Sequence, residues 1–90
     1  MAEVTDYDFE VQSTTGAYKK GLVHVTGDSG DTVVLDGNDE KVDSVLSASC
    51  WDETQGQASN VTWSSGDKEF TFDTGNGTTG NDFTIEFLFE

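Results

Sequence analysis

The chain has 90 residues, with eighteen Asp and Glu against four lysines and no arginine, for a net charge of −14. Such a surface repels phosphate and anionic headgroups, so direct binding to nucleic acid or to a membrane surface is not expected. A chain this short makes one domain, spanning 1–90, with a single apolar core and little room for a deep catalytic cleft.

Period-two alternation dominates, and it is read strand by strand. Tyr7, Phe9 and Val11 alternate with Asp8, Glu10 and Gln12, which predicts a half-buried strand. Gly21, Val23 and Val25 alternate with Leu22, His24 and Thr26 in a second. Thr32–Asp36 is a short β-branched run bounded by glycine. From Lys41 to Trp51, the positions Val42, Leu46, Ala48 and Cys50 are expected to share one face; the interspersed serines favour strand over helix. Val61 and Trp63 flank Thr62, and Phe70 and Phe72 flank Thr71. The last strand is the clearest, with Phe83, Ile85, Phe87 and Phe89 opposing Thr84, Glu86 and Glu90, and Leu88 the exception.

Turn residues punctuate these runs. Residues 27–30, 36–39 and 64–67 read as hairpin connections, while 52–59 and 73–82 read as longer polar loops. The expected architecture is all-β, a single small antiparallel sandwich or barrel of about seven to eight short strands. The chain contains no proline. Sheet edges must then be guarded otherwise, and Asp8, Glu10, Glu69 and Glu86 fall on predicted wet faces.

The residues that carry chemistry elsewhere do not assemble into a motif here. Cys50 is the single cysteine and reads as a small buried apolar residue. A nucleophilic cysteine needs an activating base, and His24, in a different predicted strand, is the lone histidine. Asp28, Asp31, Asp36, Asn38, Asp39 and Glu40 offer oxygens for calcium, but their spacing does not match a calcium loop, and they read as solvated turns. No enzymatic activity, metal or cofactor is therefore expected. Asn60-Val61-Thr62 and Asn76-Gly77-Thr78 both fit the N-glycosylation pattern, the second in a predicted loop. Met1–Asp6 has neither a basic nor an apolar run, so no secretory leader is expected.

Self-repulsion among eighteen carboxylates is costly in dilute salt, whereas at 1 M salt the Debye length falls to about 3 Å. The composition reads as that of a protein made for high salt. The expected contact residues are Trp51 and Trp63, as aromatic anchors, and Thr74, Asn76, Thr78, Thr79 and Asn81, on an adaptable loop.

The order of short strands adds a resemblance. Lys20-Gly21-Leu22-Val23-His24-Val25-Thr26, Gly30-Asp31-Thr32-Val33-Val34-Leu35 and Lys41-Val42-Asp43-Ser44-Val45-Leu46 are followed by Phe70-Thr71-Phe72-Asp73-Thr74-Gly75 and a closing strand. This arrangement, across most of the chain, resembles small β-sandwich virion proteins of tailed viruses. With the acidic surface it resembles a capsid decoration (cement) or minor structural protein of a virus infecting halophilic archaea. The resemblance implies a non-enzymatic protein on the outer capsid surface, bound to the major capsid protein and to its own copies, commonly as a trimer. A tail or head-tail connector protein, and a carbohydrate-binding or adhesin-like sandwich, are the alternatives.

Overall fold

The computed structural model describes residues 2–16, 18–35, 42–73 and 79–90, with residues 13–15 described by their backbone alone. Seven strands form: β1 (Tyr7–Thr15), β2 (Tyr18–Gly27), β3 (Thr32–Val34), β4 (Val45–Asp52), β5 (Gln57–Ser64), β6 (Glu69–Asp73) and β7 (Asn81–Phe89). They make one curled sheet in the order β1-β2-β7-β4-β5-β6-β3, and every ladder between them is antiparallel. The all-β expectation holds, as a half-barrel of seven strands.

The curl depends on β5, which serves two ladders. Its first residues pair with β4, Ser59 opposite Cys50, and the remainder turns away to pair with β6, Trp63 opposite Phe70. The sheet therefore folds over itself, and its two ends approach. Ala2–Val4 bridge that gap: Val4 N–H donates to Thr32 O at 2.7 Å, and Thr32 N–H donates to Ala2 O at 2.8 Å. The Tyr7 hydroxyl adds a bond from β1 to the Val34 carbonyl at 2.7 Å.

The inward face of each strand supplies the core. Val23, Val25, Phe70, Phe72, Phe83, Ile85, Phe87 and Phe89 are all buried. Phe87 is the hub of their packing, with ring centroids at 4.9 Å from Phe70, 5.3 Å from Phe89 and 5.8 Å from Phe9. Gly21 lies directly opposite Phe87 across the β2–β7 ladder. A Cβ there would fall 2.6 Å from Phe87 Cζ, so this glycine serves close approach of an aromatic ring to a neighbouring backbone.

Three expectations need correction. The face predicted for Val42, Leu46, Ala48 and Cys50 breaks in the middle. A register shift between Val45 and Ser47 throws Leu46 outward, where it is 48% exposed, and Val45 takes the place opposite Phe89. Ala48 is exposed as well. Residues 27–30 make no hairpin, because β2 pairs with β1 and β7 while β3 pairs with β6. Gly27–Gly30 is a crossover that carries the chain from one layer to the other. The long loop predicted over 52–59 is a tight turn at residues 53–56 joining the paired strands β4 and β5.

Candidate interaction surface

The outward face of β1, β2, β7 and β4 is the broad open surface of the molecule, and strand register dictates its pattern. One row runs Asp8, His24, Thr84, Trp51 and Ala58 across five strands. The next runs Glu10, Leu22, Glu86 and Ser49, and a third sets Lys20, Leu88 and Ser47 side by side. Trp51 is 50% exposed and Leu88 42% exposed. Lys20, Ser47, Ser49, Glu86 and Leu88 line a shallow hollow between these rows.

Polar contacts on this face are few. Lys20 Nζ lies 3.0 Å from Glu86 Oε1. Glu53 reaches from the β4–β5 turn to His24, Oε1 to Nδ1 at 3.3 Å, and accepts a hydrogen bond from the Thr84 hydroxyl. Exposed pairs of this kind contribute roughly 0–1 kcal/mol each and fade with salt. Their effect is to rim Trp51 with groups already partnered to one another.

His24 and Cys50 belong to opposite faces of the same sheet, separated by β7. Burial pushes the Cys50 thiol up to about 11, Asp52 adds to the rise, and Ser59 pulls the other way. A thiol held protonated inside the sandwich, with its histidine outside, lacks the arrangement of a nucleophile and base. Among the described residues, no three His, Cys, Asp or Glu side chains are grouped to hold a metal ion.

The expected contact residues are dispersed. Trp51 stands on the open face. Trp63 packs inward against Phe70, ring centroids 4.7 Å apart, its indole N–H sealed from solvent and without an acceptor among the described residues. Thr79 is exposed, whereas Asn81 is buried and its amide donates to Asp52 Oδ2 at 3.0 Å. Asn81 is thus occupied within the fold. Thr74, Asn76 and Thr78 lie outside the described residues, as do Asp36, Asn38, Asp39 and Glu40.

Sequence reasoning missed two buried carboxylates. Asp52, with no exposed surface, accepts hydrogen bonds from the Thr54 and Gln55 N–H groups at 3.0 and 3.1 Å, which folds the β4–β5 turn. Asp31, expected in a solvated turn, is 7% exposed and accepts from Ala2 N–H at 3.0 Å and Asp28 N–H at 2.8 Å. The signal for Asp52 was its place at the start of a turn, where an Asp side chain caps the backbone two residues on.

Comparison with known protein families, curated proteins and solved structures found no match. The surface combines an exposed tryptophan and leucines with serines, on an open sheet face that also carries carboxylates.

Proposed function

We propose that this chain is a non-enzymatic structural protein of a virion, a capsid decoration protein that sits on the outer capsid face in concentrated salt. It holds the major capsid protein and further copies of itself. The observation carrying this reading is Trp51, half exposed near the end of β4 on an open sheet face, on a molecule of charge −14. Isolated surface apolar residues are ordinary, but a half-exposed tryptophan on the same open face as Leu88 and Leu22 has the make-up of a contact anchor. Strong salt supports such a contact in two ways: it screens the carboxylates of neighbouring copies and strengthens apolar association. The acidic coat favours the outside of a shell over the genome side.

Trp51→Ala should weaken binding to particles by about 30-fold, the effect of losing about 2 kcal/mol at an interface anchor. Fold stability should change by about 1 kcal/mol or less, because the side chain is half in solvent already. Co-sedimentation with capsids in multi-molar salt checks the first figure and denaturant unfolding the second. Unchanged co-sedimentation would remove Trp51 from the contact.

The same tryptophan favours one other reading, a carbohydrate-binding module with Trp51 as its stacking platform beside Ser49 and Glu53. Tryptophan fluorescence that shifts on glycan titration, and not with capsids, would select that reading instead.

A further inference from the structure

Residues 44–51 and 54–66 contain no charged side chain, in a chain where one residue in five is acidic. These two stretches include nearly all of β4 and all of β5, so one flank of a strongly anionic molecule is neutral. The flank also carries an open strand edge. Only Cys50, Trp51 and Asp52 of β4 pair with β5, which then leaves for the other layer. Ser47, Ala48 and Ser49 are paired on the β7 side alone, Leu46 is the bulged residue before them, and all four are exposed.

Edges are ordinarily blunted by charge, proline, bulges or a covering segment. The other edges of the sheet show these devices: β1 carries Asp8 and Glu10 and a register shift after Val11, and β3 is covered by Ala2–Val4. The β4 edge beyond the Leu46 bulge has neither charge nor cover among the described residues, and its side chains at 47–49 are small enough to admit another strand.

We infer that the β4 edge is a self-association surface, where Ser47–Ser49, beyond the Leu46 bulge, pairs antiparallel with the same segment of a second copy. The occupant follows from charge. Two molecules of −14 repel at nearly every approach, and a strand without charges can meet its own copy without placing carboxylates opposite carboxylates. A segment pairing with itself makes a two-fold, self-complementary contact and extends the sheet across two molecules. The product is a dimer, in place of the trimer that the resemblance implies. This inference rests on the self-associating part of the proposed function, and it specifies the strand responsible.

The test uses the whole chain in multi-molar salt. Light scattering on the wild type should give the mass of two chains. Ser47→Glu with Ser49→Glu should weaken that association by about tenfold or more, because both new carboxylates face their own copies. Circular dichroism identical to the wild type shows that the variant folds. Separately, cysteines introduced one at a time at Ser47, Ala48 and Ser49 should give a disulfide-linked dimer under mild oxidation at one position or more. Asp8→Cys on the opposite edge, and the wild type with its buried Cys50, should not. A monomeric wild type, an unchanged mass in the double variant, or equal cross-linking at Asp8→Cys would overturn the inference. A monomer that still decorates capsids leaves the virion role standing, whereas a β4-linked dimer that ignores capsids removes that role and keeps the edge.

Discussion

Replacing Phe87 with alanine should destabilise the domain by about 3–5 kcal/mol, a large part of the roughly 5–10 kcal/mol expected for a chain of this size. Phe87 is 2% exposed, and its ring joins Phe9 on β1, Phe70 on β6 and Phe89 on its own strand. Deleting it opens a cavity where the two layers meet, and the glycine opposite has no side chain to fill it. Gly21→Ala should cost about 1–3 kcal/mol for the reverse reason, since the new methyl falls 2.6 Å from Phe87 Cζ. Combining Gly21→Ala with Phe87→Leu should cost less than the sum of the two, because each change relieves the other. Denaturant midpoints for the single and double variants, in the same multi-molar salt, measure this coupling. Strict additivity would show that the ring is free to move away from Gly21.

Asp52→Ala should cost about 2–4 kcal/mol, an unusual penalty for removing one carboxylate from so acidic a chain. The substitution strips the acceptor from two turn N–H groups and from the Asn81 amide, which is buried. A buried donor left unpaired costs its full desolvation. Removing an exposed carboxylate such as Glu10 should have the opposite sign in dilute salt, by relieving repulsion. Unfolding of both variants in the same buffer, with amide exchange over residues 53–56, distinguishes the two effects. An Asp52→Ala protein within about 0.5 kcal/mol of wild type would show that the turn holds without its cap.

The strands that the sequence revealed best are those with one face wet and the other in the core. The odd positions from Phe83 to Phe89 are buried and the even ones are not, because β7 lies between β2 and β4 with the core beneath it. Tyr7–Val11, Gly21–Val25 and Phe70–Phe72 follow the same logic. The pattern failed where a strand changes partners. The first residues of β5, Gln57–Asn60, are small or polar and show no alternation, since they lie where the sheet turns from one layer to the other. Gly27–Gly30 announces a reversal, but a turn signal carries no information on which strand the chain pairs with next. The shift at Leu46 is equally silent, because a bulge is fixed by the ladder with β7 and not by the local residues. At the candidate surface, Trp51 was legible as an aromatic of uncertain side, and its exposure came only from the register with Thr84. The loop residue Asn81 looked adaptable in sequence and proved to be committed to Asp52.

On the proposed reading, counterions make this fold and its contacts possible. The most direct measurement follows molar mass and unfolding midpoint together, by light scattering and denaturation, from nearly ion-free buffer to multi-molar salt. The account predicts a monomer of low stability at the dilute end, with mass and midpoint both rising as salt increases. A domain that is equally stable and equally associated without added ions would contradict it.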